Sequence, residues 1–496
     1  MLRIGLLRLP LLTGRLAMTL LDNMKHKLLF SYTLHFTFYT SLFTLYPIYA
    51  ATVTVSGRKL LVDGKEFTIK GVCYSPTPVG YGAGYDWSTK PDIYNTDFPL
   101  IKSMGANTIR TFGPPTQKEA LDALSDNGLY IIMGYWVNSG QDFSSSTVRN
   151  NLKTGFINMV KTWKNHPAVL MWAFGNEVWP GGSGTDAQKW SSWYSLVNEV
   201  AQEAKNEDPN HPVTTVNGDI WTIGILNYGS TDSSMTALDC WGINLYLGEN
   251  FQDRFTKYES TSTKPLWISE WGCDAWDSRT STENQTLQAN YIKSQWQDIE
   301  RNLSIYSEKV CIGGTVFEWS DEWWKSYTNS LGNSGHDTST DWPNNNYSDT
   351  GMNEEWWGIT SISPGTYEKT PRKAYYELTQ LWGGTGIEQK PPGTDLFSTE
   401  PRNYPNPSKP GKITKIKFKL TSENAEVNSE IYDQSGNKVC ELSKPSKPTK
   451  YTYELQWDGK NSKQDEVNSG IYICRIEVKS PEGRSQTKFR KILIVR

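Results

Sequence analysis

The chain has 496 residues, a formal net charge of -3 and 21 tryptophans. Its length exceeds one ordinary domain, so we expect two folded units with enough apolar and aromatic residues for a large core. Its 50 Lys and Arg residues nearly balance its 53 Asp and Glu residues, which gives no electrostatic basis for nucleic-acid binding and favours a neutral or polar ligand. We expect the protein to be a monomer.

The first 50 residues resemble a secretory signal peptide. A basic start at 24–27 is followed by an apolar run over 28–48 and by a small residue at Ala50, where cleavage is expected. Met24 is an alternative start. The run is also long enough for a membrane anchor, but its Ser, Thr and Pro residues favour the signal peptide.

Cys73, Cys240 and Cys311 lie in or beside apolar strand-like runs, which predicts buried free thiols. The six cysteines of the chain do not show the close paired spacing of a zinc site, and in a chain this long they are too few for a dense disulfide framework. A pair within the C-terminal part remains possible because connectivity cannot be read from sequence. The cysteines are Cys73, Cys240, Cys273, Cys311, Cys440 and Cys474, of which the last two form that potential pair.

A repeating strand and helix pattern fills most of the chain. Residues 51–66 alternate apolar and polar around a turn at 63–64, which predicts a small β-hairpin. Over 67–385, eight short apolar segments alternate with amphipathic helical segments, which predicts an α/β fold, the (β/α)8 TIM barrel. The predicted strands are 68–74, 108–112, 130–135, 169–175, 213–216, 240–246, 266–270 and 312–318. A doubly wound open sheet is the alternative, but no Gly-rich phosphate loop follows the first strand.

Functional residues of a barrel lie just after its strands, because the C-terminal ends of all eight strands meet at one face. This rule selects a set that is aromatic and acidic and contains no histidine and no metal-binding cluster. We therefore expect a site without a metal or cofactor. The selected residues are Tyr74, Arg110, Phe112, Tyr135, Trp136, Asn176, Glu177, Asn217, Asn244, Tyr246, Glu270, Trp271, Glu318 and Trp319.

Two glutamates of this set predict a catalytic pair. Glu177 follows predicted strand four and Glu270 ends predicted strand seven, and these strands face each other across a barrel. Retaining glycosidases need two carboxyl groups about 5 to 5.5 Å apart, one attacking the anomeric carbon and one protonating the leaving oxygen. Either glutamate alone could anchor a loop through backbone amides. Their joint position at facing strand ends favours catalysis.

Two further residues are expected to act on Glu270. Arg110 would keep a neighbouring carboxylate ionised, as a nucleophile requires, although it could equally form a salt bridge at the barrel rim. The Tyr246 phenol could orient the Glu270 carboxylate, with simple packing as the alternative.

Tryptophans near the predicted active face indicate carbohydrate binding. Flat aromatic rings stack on the apolar faces of pyranose rings, and a cleft needs several in succession. Core packing is the alternative. We expect sugar contacts from Trp136, Trp179, Trp271 and Trp319, together with the amides of Asn176 and Asn244 and with Arg110 and Tyr246. Residues 330–355 form a polar insertion, interpreted as a lid or cleft wall because regular calcium-ligand spacing is missing.

The order Arg110, Asn176-Glu177, Tyr246, Glu270 and Trp319 resembles the clan A retaining glycoside hydrolases. That resemblance implies that Glu177 is the acid/base and Glu270 the nucleophile. The segments FGNEV, ISEWGCDAWDSR and CIGGTVFEWSDEWW are similar to the fungal β-1,3-glucanosyltransferases and to glycoside hydrolase family 2 barrels. The resemblance implies a secreted retaining β-glycosidase that cleaves a poly- or oligosaccharide, a β-glucan with β-1,3 links. Alternatives are a glucanosyltransferase and a non-catalytic cell-surface polysaccharide-binding protein.

The C-terminal part predicts a second, all-β unit. A Gly- and Pro-rich linker covers 386–402, and 403–496 alternates apolar and polar residues between turns, which predicts a small Ig-like β-sandwich. Its motifs YPNP, WDG and SGIY resemble FlgD-like and type IX secretion sorting domains. This implies bacterial export to the cell surface or medium and contact with secretion machinery or the cell envelope. A structural Ig-like appendage and a carbohydrate-binding module are the alternatives.

Overall fold

The computed structural model divides the chain into two compact units, Met1–Ile387 and Glu388–Arg496. It describes residues 51–180, 186–306, 309–325, 335–364, 367, 369–386, 396–399, 401–409, 411–421, 424–447, 451–481 and 483–495. The predicted signal peptide and much of the predicted linker lie outside the described residues. No helix in the described part combines the length and the apolar character that a membrane span requires.

The chain enters the first unit through a small antiparallel sheet of β1 (Val53–Ser56), β2 (Lys59–Val62) and β3 (Lys65–Glu66). Its apolar side chains, such as Leu60, pack on residues of the first half of the barrel strands, such as Leu170. The sheet therefore covers the end of the barrel opposite to the strand C-termini.

Parallel strands close into a barrel within the described residues, which confirms the predicted fold class of the first unit. The strand order around the barrel follows the chain order, and each strand pairs in parallel with the next. The strands are β4 (Ile69–Cys73), β5 (Thr108–Thr111), β6 (Tyr130–Tyr135), β7 (Val169–Asn176), β8 (Val213–Asn217), β9 (Cys240–Asn244), β10 (Leu266–Trp271) and β11 (Cys311–Val316). Every residue of β5, β8, β9, β10 and β11 is buried, so these strands are covered on both faces.

Amphipathic helices form the outer layer of the barrel. In α4 the buried residues Trp193, Val197, Val200 and Ala204 recur at the helical period and face the sheet. Asp186 caps its first turn by accepting hydrogen bonds from two backbone amides. The helices are α1 (Pro91–Ser103), α2 (Lys118–Asp126), α3 (Ser146–Trp163), α4 (Ala187–Glu207), α5 (Arg254–Thr261), α6 (Gln285–Arg301) and α7 (Lys373–Trp382).

The second unit is all-β. Its strands are β12 (Arg402–Tyr404), β13 (Thr414–Lys419), β14 (Glu426–Tyr432), β15 (Lys438–Glu441), β16 (Thr452–Trp457), β17 (Gly470–Lys479) and β18 (Ser485–Ile494). One sheet has the strand order β12, β13, β16 and the other β15, β14, β17, β18, and alternate residues of these strands fill a separate apolar core. Cys440 and Cys474 are buried free thiols in this core, so the potential disulfide is not formed.

Candidate active site

The end of β7 delivers Glu177 through an unusual backbone. Gly175 has φ 79°, and Glu177 itself has φ 47°, a left-handed conformation that is rare outside glycine. The pairing with β8 shifts register between Ala173 and Asn176, and the Glu177 amide donates to the Val216 carbonyl at 3.0 Å. Such strained backbone persists where surrounding structure holds it and is concentrated at functional sites.

Glu270 lies in β10 with both carboxylate oxygens engaged. Arg110 Nη1 donates to Glu270 Oε1 at 2.7 Å, and the Tyr246 hydroxyl donates to Oε2 at 2.8 Å. Glu270 is 6% exposed and Arg110 is 2% exposed, so this ion pair is held away from water. Both expectations for Arg110 and Tyr246 agree with these contacts: the carboxylate is paired with a cation and its orientation is fixed.

Two asparagines connect Glu270 to Glu177. Arg110 Nη2 donates to Asn176 Oδ1 at 2.6 Å, and Asn244 Nδ2 reaches Asn176 Oδ1 at 3.3 Å and Glu177 Oε1 at 2.9 Å. A continuous hydrogen-bond chain therefore joins the two carboxyl groups across the barrel face. Asn176 and Asn244, the two asparagines expected to contact sugar, lie between the glutamates.

The pKa of Glu177 is set by its burial and by the charges around it. Burial raises the pKa of Glu177 to about 7, and the negative charge of Glu270 adds to this, as does that of Glu354. The hydrogen bond from Asn244 and the charge of Arg110 act in the opposite direction. A carboxyl group with this pKa can hold a proton near neutral pH and release it, which is what a general acid/base needs.

The loop after β11 forms a charged wall of the site. Glu318 is 1% exposed; its burial and the charge of Glu322 raise its pKa well above the usual range of a carboxyl group. Lys325 Nζ lies 2.9 Å from Glu322 and 3.2 Å from Glu354, and 4.6 Å from the centre of the Phe317 ring. The rule that functional residues directly follow the barrel strands selected Glu318. It did not select Lys325 or Glu354, because these lie farther along the chain from the end of β11.

The tryptophans expected to bind sugar divide into two groups. Trp136 is 59% exposed and Trp179 is 44% exposed, so both are available to a ligand. Trp271 and Trp319 are fully buried, and their assignment to sugar stacking was wrong. Successive strand residues point to opposite sides, so Glu270 faces the cleft while the Trp271 ring packs 6.0 Å from Trp296 of α6.

Trp319 is also placed away from the cleft. Its ring packs 6.3 Å from that of Tyr375 in α7, on the helix side of the barrel. Phe317 occupies the cleft side instead, with ring centres 6.2 Å from Tyr246 and 6.5 Å from Phe112. Phe317 and Trp319 follow β11 and are two positions apart, so strand alternation would place them on the same side and does not account for their different directions.

The polar insertion is a wall of the site over its described part, 335–355. Trp342–Pro343 pairs with Gly351–Met352, and the Tyr347 hydroxyl donates to the Gly272 carbonyl at 2.7 Å. Asn344 Nδ2 donates to the Tyr246 carbonyl at 2.9 Å, which connects this wall to the Glu270 contact. Among the described residues no cluster of three His, Cys, Asp or Glu side chains could hold a metal ion.

Comparison with known proteins assigns the barrel to a family. The model of glycosyl hydrolases family 2, TIM barrel domain, matches residues 53–329. The β-glucuronidase of Mus musculus is 25% identical over 289 residues, which cover 57% of this chain and 42% of that protein. The Homo sapiens β-glucuronidase is 26% identical over 288 residues, 55% of this chain and 41% of that protein.

A solved β-glucuronidase of Bifidobacterium dentium, complexed with coumarin-3-O-glucuronide, superposes with a TM-score of 0.49 and 21% identity, covering 67% of this chain and 49% of that one. The chain spans about two fifths of the length of the curated relatives it matches. The family match covers more than half of the chain and includes both glutamates. The chain therefore belongs to glycosyl hydrolase family 2, whose members are retaining O-glycosyl hydrolases.

Proposed function

We propose that the barrel hydrolyses β-glycosides by double displacement, with Glu270 as the nucleophile and Glu177 as the acid/base. The observation that carries this assignment is the asymmetry of the pair. Glu270 is held by Arg110 and Tyr246, whereas the pKa of Glu177 is raised to about 7. One carboxyl group is thus prepared to attack and the other to carry a proton.

In the first step, Glu270 attacks the anomeric carbon while Glu177 gives its proton to the departing glycosidic oxygen. The bond to the leaving group breaks as the bond to the Glu270 oxygen forms, which leaves a glycosyl-enzyme and an ionised Glu177. Arg110 and Tyr246 keep Glu270 oriented before the attack and remain beside its carbonyl group afterwards.

In the second step, ionised Glu177 takes a proton from water, and the water oxygen attacks the anomeric carbon. The bond to Glu270 breaks, its carboxylate is regenerated beside Arg110, and Glu177 is protonated again. Two inversions at the same carbon give net retention of configuration.

We propose a neutral β-linked glucan, tested first with β-1,3-glucan, as the substrate class. The charges around the pair support a neutral sugar. Arg110 is engaged by Glu270, and Lys325 is paired with Glu322 and Glu354. A sugar carboxylate would approach a wall that already carries several acidic groups.

A β-glucuronide is the second candidate, because the curated relatives described above are β-glucuronidases. The two substrate classes are separated by comparing kcat/KM on 4-nitrophenyl β-glucoside, β-galactoside, β-mannoside and β-glucuronide. We expect turnover of a neutral glycoside and little or no turnover of the glucuronide. A preference for the glucuronide would refute the neutral-sugar proposal while leaving the assignment of the two glutamates intact.

The roles of the glutamates are tested by azide rescue of Glu270→Ala and Glu177→Ala on an activated aryl glycoside. In Glu270→Ala, azide fills the emptied nucleophile side and should give an α-glycosyl azide by a single inversion. In Glu177→Ala, the glycosyl-enzyme still forms, and azide attacking from the opposite side should give a β-glycosyl azide.

If Glu270→Ala gave the β-glycosyl azide and Glu177→Ala gave the α-glycosyl azide, the two roles would be reversed. Full activity of either variant on all β-glycosides that the parent cleaves would exclude the residue from the chemistry. Binding of oligosaccharide by the parent with no product released would instead favour the non-catalytic polysaccharide-binding alternative. Asp126→Asn, at the exposed end of α2, is the matched control and should behave as the parent does.

We also propose that the chain is exported and that its C-terminal unit is an Ig-like sorting domain. The signal-like segment 1–50 and the motifs at 404–407, 457–459 and 469–472 support this. Expression in a bacterium with a type IX secretion system, followed by fractionation, tests it. We expect surface or medium localisation that is lost when 403–496 is deleted, whereas retention of both forms inside the cell would refute it.

A further inference from the structure

A pocket beside Glu177 has no role in the two-step reaction described above. It is a shallow recess with a cavity volume of about 10 Å³, open to solvent, and its walls include Trp179, Trp221, Asn217, Gly218 and Asp219. These residues follow the C-terminal ends of β7 and β8, two neighbouring barrel strands. The pocket therefore lies on the same face as the two glutamates.

The pocket adjoins the proton-donating carboxyl group directly. A Cβ atom built on Gly218 would lie 3.5 Å from Glu177 Oε1 and also 3.5 Å from Trp179 Cζ2. The Glu177 carboxyl group and the Trp179 ring therefore both lie close to Gly218. Since the acid protonates the departing oxygen, this neighbourhood belongs to the leaving-group side of the bond.

Two partly exposed indoles are held in place at this pocket. Trp221 is 54% exposed, and Arg254 Cζ lies 4.4 Å from its ring centre. Arg254 is itself fixed by Asp219, with Nε 3.0 Å from Oδ1 and 3.1 Å from Oδ2. Trp179, 44% exposed, packs edge-to-face at 5.7 Å on the buried Trp190. Ordering large apolar rings at the surface leaves free area for a flat, partly apolar ligand.

The pocket wall also carries a polar group. Asn217 is 6% exposed and accepts a hydrogen bond from the Tyr194 hydroxyl at 3.3 Å. Its Nδ2 donates to no group in the described part of the chain. This nitrogen is itself buried, so the surface available to a sugar consists of the two partly exposed rings, which suit the apolar faces of a pyranose.

We propose that Trp179 and Trp221 form a subsite for a pyranose ring on the leaving-group side of the cleaved bond. This proposal rests on the proposed function, in which Glu177 is the acid/base. The natural substrate then continues past the cleaved bond as a second sugar. The same subsite can hold a sugar whose hydroxyl attacks the glycosyl-enzyme: its oxygen bonds to the anomeric carbon, its proton goes to Glu177, and Glu270 leaves as a carboxylate.

The test compares two substrates that differ only on the leaving-group side. β-Glucosyl fluoride has no second sugar, whereas laminaribiose does; the mannosyl or galactosyl pair replaces them if the parent prefers that sugar. We expect Trp221→Ala and Trp179→Ala to lower kcat/KM on the disaccharide about tenfold and on the fluoride less than about twofold, the scale of one lost aromatic stack. Trp221→Phe, which keeps a ring, should recover most of the loss.

Leu226→Ala is the matched control, since Leu226 follows the same strand and is 79% exposed but does not line the pocket. It should leave both substrates unchanged. Equal losses on fluoride and disaccharide, or no loss on either, in the tryptophan variants would overturn the proposal. Circular dichroism of each variant distinguishes a lost contact from a lost fold.

A second measurement uses the trapped intermediate. A 2-deoxy-2-fluoroglucosyl fluoride should inactivate the parent, and added laminaribiose should speed reactivation over water alone. In Trp221→Ala the acceleration should disappear while reactivation by water is unchanged. Acceleration equal to that of the parent would overturn the subsite. Absence of inactivation and of turnover on every fluoride would instead refute the proposed function, and the subsite with it.

Discussion

The pKa of Glu177 connects a single residue to the pH dependence of the whole reaction. Burial raises it to about 7, so the carboxyl group is protonated below that pH and ionised above it. Because the first step needs the proton, kcat/KM on a disaccharide should fall as pH rises through about 7. A pH profile of initial rates checks this, and a flat profile up to pH 9 would contradict it.

Glu354 should affect the pH at which kcat/KM falls on the alkaline side. Its negative charge contributes to the raised pKa of Glu177, so Glu354→Gln should lower this pKa and shift the alkaline limb to lower pH. The freed charge of Lys325 acts in the same direction. The readout is the apparent pKa of kcat/KM. Glu249→Gln, an exposed acid beyond β9, is the control that should not shift it, and an upward shift in Glu354→Gln would contradict the prediction.

Tyr246 should act on the nucleophile. Tyr246→Phe removes the donor that lies 2.8 Å from Glu270 Oε2, and the loss of one such donor lowers kcat about 100-fold. Tyr291→Phe is the matched control from the same apolar cluster, since its hydroxyl accepts from the Ser348 amide and not from a glutamate. Steady-state kinetics should show a loss of kcat in Tyr246→Phe but not in Tyr291→Phe. Equal effects in both variants would show that Tyr246 contributes only through packing.

At the scale of elements, close contact between neighbouring strands limits side-chain size. A Cβ atom on Gly134 in β6 would lie 2.1 Å from the Thr111 carbonyl oxygen of β5, and a backbone atom cannot yield as a flexible side chain does. Gly134→Ala should lower the free energy of unfolding by about 3 kcal/mol, the upper part of the usual range for overpacking.

Denaturant unfolding measures this effect. Gly113→Ala is the control, because a Cβ atom there would meet no other atom within 4 Å and the backbone conformation suits alanine. The two variants should differ clearly in midpoint. Equal stability would show that β5 and β6 can move apart, and the barrel register would then need revision.

The whole molecule consists of two units with separate apolar cores. The clusters of the barrel unit and that of the C-terminal unit share no residue. A domain with its own core can fold alone, so a chain ending at Ile387 should keep the kcat/KM of the parent on a disaccharide within about twofold. Loss of soluble protein or of activity would show that the second unit is required by the first.

Sequence alone predicted the barrel and the pair of glutamates proposed to be catalytic. Buried parallel strands produce uninterrupted apolar runs such as the one before Glu177, and barrel geometry brings all strand ends to one face. Glu177, Glu270, Arg110 and Tyr246 were therefore selected from their positions in the chain, and Glu270 contacts Arg110 and Tyr246 as this reasoning expected.

Tertiary structure decided what depends on side-chain direction and on long-range contact. It placed Trp271 in the core, because alternation along a strand does not fix which of two neighbours faces the cleft, and it placed Trp319, which lies beyond the end of β11, against Tyr375 of α7. It placed Lys325 beside Glu354, which comes 29 positions later in the chain, and the sequence between them has no periodic pattern that predicts this contact. It also raised the pKa of Glu177, since burial is a property of the assembled protein that no single segment carries.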